Sequence, residues 1–401
     1  MLRRLLSFGI PFNAMTKGIW ILCLSNIIGA FGEGLYFWIF PLYIRSLQAD
    51  YVQVGLVFSV LGGISALAPI PGGFLADRFD RKKLMFLGWT PWIFAPLIYS
   101  FATSWQQLIP GTICWGFSMI GVPAVNAYVI TSNTDKKRTS SVLSFVWSTY
   151  SLGYVFAPAL GSFIATVMGM QFVLQLATVM AALSTATFFL LHSQHPPRKG
   201  VADNEQRTSP EQSRNESQLK RIMLTWAIFL TVITFFMTLT RTFVPLFLSE
   251  HAGLSEPTVG LFGSINFAGI TLLGIALGRV SDKWRKSGAL GLSLLLFIAS
   301  ILPMILVRDP STLMLTAFVY GGSGVTGALV YSFVGSIAPE NKRGTWLCIP
   351  QSMSLFAAFA APFIGGLLYT SSVYYPFAIS LVAMPILAML AFSRLTDGTR
   401  N

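Results

Sequence analysis

Charged residues are scarce in this sequence, at 10% of 401 residues, whereas a soluble domain carries about 25%. So few charges cannot keep the surface of a soluble protein of this length polar, and 54% of the residues are hydrophobic. The composition therefore excludes an ordinary soluble domain and predicts that almost the whole chain lies in lipid.

Cysteine and histidine are also rare, with three of each in the chain. Cys23, Cys114 and Cys348 stand at unrelated spacings, which predict neither a metal site nor a disulfide. The sequence also lacks a Gly-x-x-x-x-Gly-Lys-Ser/Thr phosphate loop, a Ser-His-Asp set and paired carboxylates at catalytic spacing. We therefore expect no enzyme, no cofactor, no metal and no ATP-driven pump.

Long apolar runs take up most of the chain. A helix that crosses a bilayer needs about 20 apolar residues, and the sequence holds twelve such runs. This predicts an all-α membrane protein with twelve transmembrane helices. The predicted spans are 18–44, 51–76, 84–103, 107–131, 140–166, 169–193, 222–248, 257–281, 288–306, 311–336, 346–369 and 373–393.

Acidic residues are outnumbered by basic ones, 15 against 27, for a net charge of +12. The cations stand in short loops between the apolar runs, which favours membrane orientation over nucleic-acid binding. Twenty-four of the 27 fall on the side that holds both chain ends, while Arg45 and Arg308 fall on the other. Since lysine and arginine are retained in the cytoplasm, we expect a plasma-membrane protein with both termini cytoplasmic.

Two charged loops repeat at a fixed spacing. The first runs from Gly73 to Lys83, and the second, 205 residues later, runs from Gly278 to Lys286. Six spans in each half predict two parallel six-helix bundles with a pseudo-two-fold axis along the membrane normal. We expect these bundles over 1–193 and 222–401, joined by a polar, disordered cytoplasmic linker over 194–221. The matched loop positions are Gly73 and Gly278, Asp77 and Asp282, Arg78 and Lys283, and Arg81 and Lys286.

The first of these loops resembles the Gly-x-x-x-Asp-Arg-x-Gly-Arg-Lys signature of the major facilitator superfamily, with Asp80 where glycine is usual. The resemblance covers the whole chain and implies a secondary transporter. It also implies that the loop aspartates close the cytoplasmic side, each facing the start of a helix in the other half. A carboxylate is stabilised at a helix N-terminus, which agrees with this role. Asp77 would face Gly344–Thr345, and Asp282 would face Thr139–Ser140.

A second motif lies in span five, where Gly153, Pro158 and Gly161 belong to the run Gly-Tyr-Val-Phe-Ala-Pro-Ala-Leu-Gly. It resembles the Gly-x-x-x-Gly-Pro-x-x-Gly-Gly signature of the superfamily's proton-coupled exporters. Small residues let helices approach closely and proline bends the backbone. Tight packing against span eight is the alternative interpretation.

Two charges lie inside predicted spans, Glu33 in span one and Arg241 in span seven. Such residues are costly in hydrocarbon and usually face a cavity or a partner. Helical spacing places Asn26 and Tyr36 on the face of Glu33, and Thr234 and Thr238 on the face of Arg241. The resemblance implies that spans one, seven, four and ten line the central cavity. It thereby adds Trp115, Asn126, Tyr320 and Tyr331, and we expect Tyr150 to contribute to the aromatic wall. Glu33 and Arg241 differ in depth by four residues, about 6 Å, so we expect that they can meet when the outer side is closed.

These features favour a monomeric secondary transporter that exports a small, partly apolar or cationic compound in exchange for protons, with Glu33 as the proton or cation site. The first alternative is uptake of a nutrient or an anionic metabolite, with Arg241 as the substrate anchor. The second is a non-transporting membrane receptor or assembly factor. The polar residues inside the spans count against this second alternative.

Overall fold

Helices account for the regular structure in this computed structural model, which describes residues 15–135, 139–195, 210–338, 343–393 and 395. No strand occurs among these residues, so the predicted all-α class is confirmed. The described residues of the first half form the helices Lys17–Phe37, Phe40–Ser46, Tyr51–Leu67, Pro69–Ala76, Arg81–Ser100, Leu108–Ser118, Val122–Ser132, Thr139–Gly153, Ala157–Met168 and Met170–Ala186. Short 3₁₀ turns lie at Trp105–Gln107, Met119–Gly121 and Thr187–Leu190.

The second half repeats this pattern. Its described helices are Pro210–Arg241, Val244–Leu246, Glu256–Lys283, Lys286–Leu306, Pro310–Gly321, Thr326–Ile337, Arg343–Ser371 and Tyr375–Ser393, with a π turn at Phe247–His251 and a 3₁₀ turn at Gly322–Val325. Eleven segments of the described chain are long and apolar enough to cross a membrane. The remaining predicted span corresponds to Arg81–Ser100, whose first three residues are cations.

The helix of span seven begins earlier than expected. The sequence predicts a linker over 194–221, of which 196–209 lie outside the described residues. In the structure the helix already starts at Pro210. Proline suits a first helical position because its φ is fixed near the helical value and its missing N–H is not needed there.

Two prolines explain where spans one and seven break. Lys17–Phe37 ends four residues before Pro41, and Pro210–Arg241 ends four residues before Pro245. Proline has no N–H to donate to the carbonyl four residues earlier, so each helix is interrupted at that point. Helical structure resumes at Phe40 and at Val244. Arg241 therefore lies at a helix C-terminus, where a cation is favoured by the helix dipole.

Contacts divide the chain into two compact units. One comprises Met1–Tyr43 and Leu67–Pro197, and the other comprises Ile44–Ala66 and Arg198–Asn401. Each unit has buried apolar side chains between its helices, such as Ile19 and Val146 in the first and Trp226 and Phe333 in the second. The indole of Trp226 stacks on the ring of Phe333 with 4.0 Å between ring centroids. Other large apolar side chains are exposed, as expected for helices that face lipid.

The sequence repeat extends to individual hydrogen bonds. Arg81 donates from Nη1 to the Ala127 carbonyl, at 3.1 Å, and to the Thr131 hydroxyl. In the second unit Lys286 donates from Nζ to the Ser332 carbonyl, at 3.4 Å, and to the Ser336 hydroxyl, at 2.9 Å. The partners stand 46 and 50 residues after the cation in both halves. Spans three and four in the first half and spans nine and ten in the second half are thus joined by bonds at the same spacings.

Candidate functional site

Glu33 lies at the centre of a polar cluster inside the first unit. Its side chain belongs to helix Lys17–Phe37 and is only 4% exposed. The Tyr150 hydroxyl donates to Glu33 Oε2 at 2.5 Å. The hydroxyl of Tyr154 and the indole of Trp115 are further polar neighbours of the carboxyl. A carboxyl buried among hydroxyl and indole donors can hold either a proton or a bound cation.

Aromatic rings complete the surroundings of this carboxyl. Tyr36 is buried and its ring meets that of Tyr99 edge to face, with centroids 6.1 Å apart. The Trp115 ring packs on Phe37 at 5.3 Å. The Nε1 atom of Trp115 is buried and has no hydrogen-bond partner among the described residues. Tyr36 also interacts electrostatically with Glu33, so the structure gathers Tyr36, Trp115 and Tyr150 around this carboxyl.

Tyr154 was missed by the sequence reasoning, although a signal was available. It follows Tyr150 by four residues, which is about one helical turn. The two rings lie 5.5 Å apart. Tyr154 itself stands in the short break between helices Thr139–Gly153 and Ala157–Met168, and a break of this kind cannot be placed from periodicity alone.

The glycines of the span-five motif lie where span five packs closely against span one. A Cβ built on Gly153 would lie 2.7 Å from the Ala30 Cβ, and one built on Gly161 would overlap the Leu35 carbonyl. Pro158 opens the helix Ala157–Met168 in its first turn. The motif therefore lies where span five packs closely on span one within the first unit, and we expect this packing to influence the distance between Tyr150 and Glu33.

The two asparagines predicted to line the cavity form bonds between helices. Asn26 donates from Nδ2 to the Val146 carbonyl at 2.8 Å and is buried. Asn126 accepts through Oδ1 from the Trp147 indole at 2.9 Å. Both bonds reach helix Thr139–Gly153, which carries Tyr150. They position the helix that bonds Glu33.

The predicted residues of the second half lie in the second unit. Arg241 is exposed and interacts electrostatically with the buried Tyr320, whose hydroxyl has Thr240 as a hydrogen-bond partner. Tyr331 is partly buried, with its hydroxyl 3.5 Å from Ser354 Oγ. Thr234 and Thr238, within helix Pro210–Arg241, are also partly buried. Because Arg241 and Glu33 belong to different units, their meeting stays a prediction.

The predicted gate residues divide into exposed and anchored groups. Arg81 is buried and Lys286 is partly buried, and both hold helices together within their own units, as described above. A Cβ on Gly73 or Gly278 would meet no described atom within 4 Å. The other members are exposed charges, available for contacts outside their own loop: Asp77, Arg78, Asp282 and Lys283.

Asp80, the departure from the superfamily signature, caps a helix. Its Oδ1 accepts from the Lys83 N–H at 3.0 Å, at the start of Arg81–Ser100. Its Oδ2 accepts from the Ser193 hydroxyl at 2.6 Å, and His195 Nε2 lies 3.5 Å away. Burial raises the pKa of this carboxyl, but the hydrogen bonds and the nearby His195 outweigh it and hold the pKa below its usual value. An aspartate just before a helix is a recognised capping signal.

Replacing Asp80 by alanine is expected to destabilise the protein by about 1 kcal/mol, the usual effect of losing a helix cap. Because the folded-state pKa is lowered, the carboxylate stabilises the fold fully above its ordinary pKa of about 3.9. That contribution disappears as the pH falls through the lowered folded value. Thermal unfolding of D80A and D80N against pH measures it.

A background without His195 provides the control for this measurement. With H195Q in every variant, titration of that imidazole cannot contribute to the pH dependence. The stability difference between the protein that retains Asp80 and its D80N variant should be constant above about pH 5 and should shrink only in more acidic buffer. A difference that grows as the pH falls would contradict the assigned role of the carboxylate.

A second polar cluster, which the sequence reasoning did not find, joins Arg45, Tyr51 and Glu250 within the second unit. Arg45 Nε lies 3.3 Å from Glu250 Oε1, and the Tyr51 hydroxyl donates to Oε2 at 2.7 Å. The Arg45 guanidinium also lies over the Tyr51 ring, 4.4 Å from its centroid. Arg45 and Glu250 are 205 residues apart, which is the repeat spacing. The sequence signal that could have revealed this cluster is a pair of opposite charges at positions related by the repeat.

Comparison with known protein families identifies relatives along the length of this chain. A family model described as Major Facilitator Superfamily matches residues 22–246 and again 224–400. Multidrug resistance protein 2 of Bacillus subtilis is 25% identical over 376 residues, covering 90% of this chain and 91% of its own. Quinolone resistance protein NorA of Staphylococcus aureus is 21% identical, with coverage of 93% and 96%. The probable galactarate/D-glucarate transporter GarP of Escherichia coli is 26% identical, with 86% of each chain covered.

Solved transporter structures share the fold. The nucleoside transporter NupG superposes with a TM-score of 0.72 at 15% identity, covering 96% of this chain and all of NupG. A bacterial homologue of the human lysosomal transporter Spinster, in an inward-facing and occupied conformation, gives 0.74 at 16% identity, with coverage of 95% and 98%. At these identities the likeness concerns the fold alone.

Proposed function

Since the chain belongs to the major facilitator superfamily, we propose that it is a proton-coupled exporter of a small, partly apolar or cationic compound. It works as an antiporter by alternating access in the plasma membrane, with both termini in the cytoplasm. The observation that carries this proposal is the buried carboxyl of Glu33, hydrogen-bonded to Tyr150 and surrounded by aromatic rings.

The chemistry of this cluster suits the exchange of a proton for a cationic or apolar compound. A carboxylate offers its negative charge to a cation, and aromatic faces add cation–π attraction and apolar contact. Protonation of Glu33 removes that charge, so proton and cation compete for the same group. Two of the relatives support export, since their names describe multidrug and quinolone resistance.

Uptake of an anionic metabolite is the second candidate function. It is favoured by Arg241, an exposed cation at a helix C-terminus beside Tyr320. The name of GarP, a probable transporter of two dicarboxylic sugar acids, supports the same direction. In this case Arg241 would bind the substrate carboxylate and Glu33 would not touch the substrate.

Transport by purified protein in proteoliposomes tests the two functions. A pH gradient that makes the vesicle interior acidic should drive accumulation of a labelled organic cation inside the vesicles. An uncoupler should abolish that accumulation. Accumulation of a labelled sugar diacid, lost in R241A and retained in E33Q, would support uptake instead. Cation transport that is unaffected by the pH gradient would contradict the antiporter. A folded protein that binds no compound of a broad panel would favour a non-transporting role.

A further inference from the structure

A groove opens on the first unit where spans three and six meet. It lies between the start of helix Arg81–Ser100 and the turn Thr187–Leu190, and it has a volume of about 240 Å³. Its lining consists of two lysines and four apolar side chains. These are Lys82, Lys83, Phe86, Leu87, Phe188 and Phe189.

The apolar wall of the groove faces outward. Leu87 is 65% exposed and Phe189 is 64% exposed. The rings of Phe86 and Phe189 pack with 4.8 Å between centroids, so the wall is continuous from span three to span six. The buried Phe188 supports it from behind through an edge contact with Trp89. An exposed apolar wall on two predicted spans suits contact with lipid acyl chains.

The basic end of the groove retains its positive charge. Lys82 donates from Nζ to the Phe189 carbonyl at 2.9 Å, which holds its ammonium at the edge of the apolar wall. Lys83 is exposed, and no described acidic side chain pairs with its ammonium. The carboxylate of Asp80 is only 5% exposed and accepts hydrogen bonds from the Ser193 hydroxyl and the Lys83 N–H. It therefore leaves the two ammonium groups available to an anion.

We propose that this groove binds one anionic phospholipid. The headgroup phosphate lies between the ammonium groups of Lys82 and Lys83, and an acyl chain lies along Phe86, Leu87 and Phe189. Basic pockets between transmembrane helices on the cytoplasmic side suit anionic headgroups, and that leaflet is rich in them. An anion with an apolar tail matches both ends of the groove, whereas free phosphate matches only one.

The second half provides an internal comparison. At the positions 205 residues after Lys82, Lys83 and Phe86, the sequence has Ser287, Gly288 and Gly291. A Cβ on Gly291 would lie 2.6 Å from the Phe392 ring, so that ring covers this part of the helix. The second half thus lacks the basic pair and one aromatic wall residue. Lipid binding should therefore be a property of the first unit alone.

Native mass spectrometry with defined lipids tests the proposal. The purified protein is released from micelles that contain dioleoyl phosphatidylglycerol or dioleoyl phosphatidylcholine, which share the same acyl chains. The wild type should retain one phosphatidylglycerol and no comparable phosphatidylcholine. K82Q/K83Q should bind phosphatidylglycerol about 30-fold more weakly, since each of the two lysines near a lipid surface contributes about fivefold.

Three variants separate headgroup recognition from other causes. K83Q leaves the bond from Lys82 to the Phe189 carbonyl intact and should weaken binding about fivefold. K82R/K83R keeps the charges and should retain the lipid. K283Q/R285Q removes two exposed cations from the matching loop of the second half and should bind as the wild type does.

Three results would overturn the proposal. The first is equal retention of phosphatidylcholine, which would show an apolar groove without headgroup recognition. The second is unchanged phosphatidylglycerol binding in K82Q/K83Q. The third is displacement of the lipid by millimolar glycerol phosphate, which would assign the basic end to a soluble phosphate. Thermal unfolding of each variant confirms that any lost binding belongs to a folded protein.

Discussion

Replacing Glu33 by glutamine is expected to reduce proton-driven transport to the level of empty liposomes while substrate exchange stays measurable. Glutamine keeps the size of the side chain and its hydrogen bonding to Tyr150, but it cannot release or take up a proton. Without the carboxylate a cationic substrate loses one charged contact, but the aromatic contacts remain, so exchange down the substrate's own gradient should continue at a reduced rate. The measurements are accumulation under a pH gradient and exchange of labelled for unlabelled substrate without one.

Tyr150→Phe is the matched control for this substitution. It removes the 2.5 Å hydrogen bond to Glu33 and leaves the carboxyl in place. We expect Y150F to remain proton-coupled with an altered pH profile of substrate binding. If E33Q and the wild type accumulate substrate equally under the same pH gradient, Glu33 has no part in coupling.

Arg241→Ala extends the same experiment to the predicted partner of Glu33. A cation close to a carboxyl changes how readily that carboxyl holds a proton. If the two groups meet during the cycle, R241A should change the pH profile of substrate binding in a protein with Glu33 and leave it unchanged in E33Q. Identical profiles for the wild type, E33Q and R241A would contradict coupling between them.

The individual transmembrane helices could be predicted from the sequence because a bilayer permits few backbone structures. In hydrocarbon every backbone polar group must be hydrogen-bonded within the protein, and a single run of about 20 apolar residues meets this requirement as a helix. The predicted span at 51–76 coincides with the observed Tyr51–Ala76. The matched prolines Pro41 and Pro245 also mark the same break in spans one and seven.

Contacts between helices were predicted less completely, since they depend on rotation and on partners distant in sequence. The polar spacing of Glu33 and Tyr36 indicated an inward face, and both side chains are buried. Nothing local in the sequence places Ser193 beside Asp80, because the two are brought together only when span six ends next to span three. Arg81 was assigned to the gate from the family signature, whereas its bonds to Ala127 and Thr131 arise from the folding of spans three and four.

Replacing Gly161 by alanine is expected to destabilise the protein by about 1 to 3 kcal/mol, as overpacking of a tight contact does. In an ordinary helix the same change would stabilise by about 0.5 to 1 kcal/mol. The sign is reversed here because the added methyl would overlap the Leu35 carbonyl, which is backbone and cannot rotate away. Helix Ala157–Met168 would have to move away from span one, and the adjoining segment with Tyr154 and Tyr150 would move with it.

Gly335→Ala is the control for this last substitution, because a Cβ there would make only an ordinary contact of 3.7 Å with Leu347. Thermal unfolding in detergent should place G161A below the wild type and G335A at or above it. Substrate binding measured against pH should also change in G161A, since the Tyr150 hydrogen bond to Glu33 depends on the approach of these helices. If G161A is as stable as the wild type and binds substrate with the same pH profile, close packing of span five on span one does not set the geometry around Glu33.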